Sequence, residues 1–176
     1  MDGICKFLSG ESVVTAIKKS LLKFLGTVTV PTTTEKFIAR NKFVIDTGNN
    51  AQVISYLGDN FRKWFLDKIE EPMAETALRY AELMKSSVDG LILSELVNTA
   101  ETTLSAVYAL MGRQPNRESE VLLTNSCANI FYVRDVNGEL RAVCVCWISD
   151  GWSVSAYSVG SPAAWHVGRR VFSRNS

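Results

Sequence analysis

His166 is the only histidine in the chain, and the four cysteines, Cys5, Cys127, Cys144 and Cys146, form no CxxC pair. Those shortages exclude a zinc ribbon and a thioredoxin-like motif, which need ligands or thiols at close fixed spacing. The chain also lacks GxxxxGK(S/T) and GxGxxG, so no glycine-rich turn is set to bring backbone N–H groups against phosphates. It has no GxSxG elbow to present a serine nucleophile. No apolar run approaches the roughly 20 residues that span a bilayer. The opening MDGICKFLSGES lacks the charged, apolar and small-residue regions of a secretory signal. The expectation is a soluble, cytoplasmic protein whose thiols stay free in a reducing compartment.

What is present describes an ordinary globular chain. Its 176 residues suffice for one substantial core, and with 47% hydrophobic and 21% charged residues it is far from the composition of disorder. A single domain is expected over 1–176, with room for two lobes, 1–112 and 120–176. Charge is uneven along the chain: residues 1–46 carry seven basic and four acidic side chains, 47–120 seven and eleven, and 121–176 five and three. The mildly basic ends are too weak a feature to indicate a polyanion partner by themselves.

In GESVVTAIKKSLLKFLG, the residues Val13, Val14, Ile17, Leu21, Phe24 and Leu25 recur at helical spacing, with Lys18, Lys19 and Lys23 on the other side. This predicts an amphipathic helix stopped by Gly26, its lysine face in water rather than on a membrane. TVTVP, KFIARNKFVID and AQVISYL are rich in strand formers, and TGNN between the last two predicts a hairpin. Asp59 is placed to cap a helix through NFRKWFLDKIEE that ends at Pro72, and a second helix is expected in MAETALRYAELMKSS. DGLILSELV predicts a short helix. Asn98 and Glu101 fit a capping box for AETTLSAVYALMGR, whose Leu104, Val107, Tyr108 and Met111 face the core.

After the loop GRQPNRESE the apolar period falls to two. NIFYVRD, LRAVCVCWIS and WSVSAYSV predict an antiparallel meander, turned at Asn137–Gly138 and, in a type I′ turn, at Asp150–Gly151. RRVFSR would add a fourth strand. The fold class expected is therefore α+β: an N-terminal helix and β-hairpin, a central helical segment, and a C-terminal meander of three to four strands.

ANIFYVRDVNGELRAV, the GW pair with AYSV after it, and the terminal VFSRN together resemble a group of uncharacterised bacterial proteins. GDNFRKWFLDKIEEPMAETALRYAELMKSSVD is similar to the middle of the same group. The resemblance spans about two-thirds of the chain and implies no activity, cofactor or catalytic residue.

Several residue sets could carry chemistry. Cys127 and His166, with Asp135 or Asp150 to orient the ring, have the composition of a thiolate pair, although TNSCANIF reads as a turn running into a strand. Cys144 and Cys146 are two apart on a predicted strand and share a face with Ala142 and Ile148. Burial as small hydrophobes accounts for them, and no metal or cofactor is called for. Their strand's other face, Arg141, Val143, Val145 and Trp147, suits a contact between lobes. The acids Glu70, Glu71, Glu75, Glu82, Asp89 and Glu95, with Asp67, could converge on a metal as in nucleases, or form solvated helix faces.

The terminal cluster Trp165, His166, Arg169, Arg170, Phe172 and Arg174 combines guanidiniums that pair with phosphate and rings that stack on bases. A charged edge strand explains it equally well. The functional expectation is a small non-enzymatic binding or regulatory protein. The alternatives are a nucleic-acid-binding or nuclease-like protein using the terminal cluster, and a protein-interaction module exposing Trp147, Trp152 or Trp165. Edge strands would also let two copies pair as a homodimer.

Overall fold

The computed structural model describes residues 19–46 and 53–175. Along the chain lie β1 (Leu22–Val30), β2 (Phe37–Ile38), α1 (Ala39–Lys42), β3 (Ile54–Leu57), α2 (Asp59–Phe65), β4 (Ile69–Glu70) and β5 (Thr76–Leu83). They are followed by α3 (Asp89–Leu96), β6 (Glu101–Thr102), α4 (Leu104–Gly112), β7 (Asn129–Arg134), β8 (Leu140–Ile148), β9 (Gly151–Ser158) and β10 (Arg170–Arg174). Among these residues, one mixed eight-stranded sheet runs β1-β5-β10-β7-β8-β9-β3, with β6 also paired to β7, and β2 and β4 form a separate small ladder. The class is α+β, but the sheet draws strands from both ends of the chain. None of the described helices is long and apolar enough to cross a membrane.

The predicted meander is present. β7, β8 and β9 pair antiparallel in sequence, Phe131 opposite Val143 and Val145 opposite Val154. All of Asn129–Val133 is buried, as a continuous apolar run requires of a strand covered on both faces. The alternation in β8 divides the interior. Val143, Val145 and Trp147 join Phe131, Val133, Trp152, Phe61, Phe65, Val107 and Met111 in a larger core beneath α2 and α4. Ala142 and Cys144 join Ile130, Tyr132, Val171, Leu83 and Ile92 in a smaller core beneath α3. The face read as a lobe contact is thus the floor of the larger core.

The tight turn falls one residue earlier than the Asp-Gly pair suggests. Ile148 pairs with Gly151, so Ser149 and Asp150 form the turn, with Ser149 at φ 57°. Gly151 belongs to β9, where a Cβ would lie 2.8 Å from the carbonyl oxygen of Val53. Its hydrogen therefore allows β3 to approach, and Gly151→Ala is expected to cost about 1–3 kcal/mol through the shift of β3 it forces. A loss of urea midpoint with an unchanged slope would register that cost.

Other expectations are corrected. The predicted helix through MAETALRYAELMKSS is instead β5, paired with β1 on one side and β10 on the other. Its Ala, Glu, Leu and Met favour helix intrinsically, but Leu78 and Leu83 are buried on opposite faces of a sheet, and tertiary burial outweighs the propensity.

The N-terminal helix lies in part outside the described residues. From Leu22 onward its sequence is β1, with a register shift between Phe24 and Gly26. Gly26 serves this irregularity rather than ending a helix, since a Cβ there would meet the Tyr80 hydroxyl at 3.0 Å. The TGNN turn also lies outside the described residues. What is seen beside it is one antiparallel bridge, Asp46 to Ile54, while β3 pairs parallel to β9.

α2 starts at Asp59 after Gly58 and ends at Phe65, well short of Pro72. α4 is capped by Thr103, not by an Asn98–Glu101 box. Its first N–H groups, on Leu104 and Ser105, are taken at 2.8 and 2.9 Å by the carboxylate of Glu70 on β4.

β10 is the largest departure. It is not an edge strand but sits inside the sheet, antiparallel to β5 and parallel to β7.

Candidate functional site

β10 brings Phe172 of the terminal cluster into the interior and sets Arg170 and Arg174 against neighbouring loops, and that placement decides what these residues can do. Phe172 is fully buried, stacked on Phe131 with ring centroids 4.3 Å apart, so it offers no platform for a base. Arg170 donates to the carbonyls of Glu120 and Val121, and Arg174 donates to the carbonyl of Asn98 at 2.6 Å. Both guanidiniums thus hold the chain's own loops. His166 is exposed, whereas Trp165 and Arg169 are half-buried and turn toward the smaller core. The tryptophans of the interaction-module reading are also placed: Trp152 and Trp147 are buried, edge to face at 5.2 Å.

The acidic residues of the centre do not converge. Glu70 caps α4, and Glu95 accepts the N–H groups of Leu21 and Leu22 at 2.8 and 2.9 Å. Glu71 pairs with Lys36, and Asp67 with Arg40. Among the described residues no three His, Cys, Asp or Glu side chains could hold a metal ion together. The Cys127–His166 reading also loses its orienting acid. Asp135 follows the far end of β7 and pairs with Arg141, and Asp150 is exposed in the β8–β9 turn.

A different set does assemble, around a pocket of about 350 Å³ on the smaller face of the sheet. Its floor is the sheet itself: Cys144 and Cys146 on β8 and Tyr157 on β9. The segment after β9 forms one wall through Ala163, Ala164, Trp165 and His166, and Asp89 at the start of α3 forms another.

Two backbone hydrogen bonds tie the wall to the rest of the molecule. Ser87 N–H donates to the Trp165 carbonyl at 3.0 Å, and Trp165 N–H donates to the Ser87 carbonyl at 2.8 Å. The Trp165 indole then donates to Asp89 Oδ1 at 2.8 Å, as does the Tyr132 hydroxyl at 2.7 Å. Only 2% of Asp89 is exposed. Burial pushes its carboxyl above the usual carboxylate range, and the bonds from Trp165 and Tyr132 offset part of that rise. Tyr132 is pushed upward in turn, by burial and then by the nearby Asp89 charge.

Arg169, just before β10, brings positive charge to the pocket. Its Nη1 donates to Cys127 Sγ at 2.9 Å. Among the described residues no carboxylate forms an ion pair with it. Cys144 and Cys146 are in mutual contact, Sγ to Sγ 3.4 Å, the first buried and the second half-exposed. Their spacing on β8 puts these two thiols on one face, and Arg169 lines the same pocket.

No protein-family model, curated protein or solved structure matches the chain.

Proposed function

We propose that the protein is a binding protein that takes a small acid with an apolar body into the pocket between α3 and the sheet. The observation that carries this reading is Arg169, a half-buried guanidinium facing the pocket with a thiol as its hydrogen-bond partner and no carboxylate paired to it among the described residues. A planar guanidinium prefers a two-pronged anion such as a carboxylate. Ala128, Ala163, Ala164, Trp165 and Tyr157 supply apolar lining, and Asp89 supplies an acceptor. A few placed polar groups in an apolar hollow are the usual makeup of a small-molecule site, and the volume is at the small end of such sites.

Benzoate, with benzyl alcohol as the uncharged control, tests this by calorimetry and by shift of the melting temperature. Benzoate is expected to bind and benzyl alcohol to bind far more weakly. Arg169→Gln should weaken benzoate by about 10- to 100-fold, the worth of a charged hydrogen bond. Equal binding of both compounds, or benzoate binding that survives Arg169→Gln, would remove the acid from the reading. The nucleic-acid alternative has less support, because two of its three arginines and its phenylalanine are engaged within the fold. Single-stranded DNA titrated across a salt series is expected to show no steep salt-dependent binding.

A further inference from the structure

We propose that Cys144 and Cys146 form a redox-active dithiol that reduces hydroperoxides, with Cys146 as the attacking sulfur and Cys144 as the resolving one. The proposal does not depend on the pocket holding an acid.

Geometry carries it. The sulfurs are 3.4 Å apart, already in contact, on a strand whose alternation keeps both on one face. Both sulfurs belong to the pocket floor, Cys144 buried and Cys146 half-exposed. The pair is thus asymmetric, with one sulfur more open to a solute than the other. Arg169 lines the same pocket and places a positive charge where a thiolate gains from it. The titration directions agree. The hydrogen bond from Cys144 draws the Cys146 thiol down against the opposing effect of burial, and Arg169 adds to the lowering. Cys144 is pushed up, first by that same hydrogen bond and then by burial.

The chemistry balances. The Cys146 thiolate attacks the terminal oxygen of a hydroperoxide, the O–O bond breaks, and the leaving oxygen departs as an alcohol, or as water from hydrogen peroxide, after taking up a proton. Cys146 is then a sulfenic acid. The Cys144 thiol gives up its proton as its sulfur attacks, the S–O bond breaks, and the hydroxide leaves as water with that proton. Two thiols have lost two electrons, and one peroxide has gained them.

Residues two apart on a strand have Cα atoms about 6.6–6.8 Å apart, at the upper end of the separations disulfides span, and parallel Cβ bonds that hold the Cβ atoms farther apart than the roughly 3.5–4.5 Å of a disulfide, so closing the bond requires β8 to bend between them. The product is therefore a strained disulfide, readily reduced back to the dithiol.

Trypsin isolates residues 142–169, which contain Cys144 and Cys146 and neither of the other cysteines. After one equivalent of hydrogen peroxide at neutral pH, the unliganded protein should yield this peptide lighter by two hydrogen atoms and closed to iodoacetamide, and dithiothreitol should reverse both changes. In Cys144→Ser, Cys146 should stop at a sulfenic acid that dimedone traps. Arg169→Gln should slow alkylation of Cys146 at pH 7, because the thiolate loses the positive charge that helps to hold it ionised. A 142–169 peptide that keeps both thiols, that crosslinks to the Cys127 peptide, or that carries a sulfonic acid would overturn the assignment. Failure of benzoate to bind would leave the peptide result untouched, so the two readings fail separately.

Discussion

Phe172→Ala is expected to cost about 3–5 kcal/mol, the range for deleting a fully buried aromatic ring, and to lower the melting temperature by roughly 10 °C or more. The ring is fully buried and stacked between Phe131 at 4.3 Å and Tyr80 at 6.0 Å, so it joins the two strands that flank β10. Its removal opens a cavity lined by residues held in sheet register, which cannot move inward to fill it. Urea unfolding measures the effect. A loss under about 1 kcal/mol, the scale of a tolerated surface change, would mean that Phe172 is not in the core and would reopen the stacking role read from the sequence.

The second large effect is expected from Asp135→Ala, at about 1.5–3 kcal/mol, the worth of hydrogen bonds to a charged group, since Arg141 keeps its pairing with Glu139. Asp135 organises the β7–β8 turn. Its Oδ1 accepts the N–H groups of Asn137 and Glu139 at 2.8 and 3.0 Å, and its Oδ2 accepts from Arg141 Nε at 2.9 Å. Arg141 in turn lies over the Trp64 ring, 4.1 Å from its centroid.

Burial works to raise the Asp135 carboxyl, but the bonds from Arg141 and the two backbone N–H groups outweigh it and leave the group below its ordinary value. A carboxyl depressed on folding contributes stability above its unfolded pKa, about 3.9, and loses it as the pH falls through the lower folded value. The stability gap between the native protein and Asp135→Ala should accordingly be full at neutral pH and narrow in acid. A gap independent of pH would assign the loss to the turn alone.

How far the sequence could be read depended on where each segment found its partners. The meander was legible because β7, β8 and β9 satisfy one another as sequence neighbours, and their alternation states which face each residue takes. α3 and α4 were legible from helical spacing over a short stretch. β5 was not. Thr76–Leu83 has helix-forming side chains, and its strand character comes from β1 and β10, both distant in sequence. The placement of β10 was hidden for the same reason: nothing local in RVFSR distinguishes a strand in the middle of the sheet from one at its edge.

The candidate site divides in the same way. Cys144 and Cys146 on one face followed from their spacing, and that pair was the signal that could have led to the pocket. Asp89, Trp165 and Arg169 reach it only through the Ser87–Trp165 bridge and the course of the chain into β10, which no local pattern records.

The central position of β10 also bears on how the molecule is made. β5 and β7 are both synthesised before Arg170–Arg174, yet β5 on that side and the Asn129–Ile130 end of β7 have no neighbour until those five residues arrive, β6 already being paired with Tyr132 and Val133. A chain still emerging from the ribosome would carry one open edge on β5 and a shorter one on β7 in the middle of its sheet, a state that invites pairing with other chains. Closure requires contacts between residues far apart in sequence, which slows folding. The meander can form early as a unit, and the last step is the insertion of one short strand between two waiting edges.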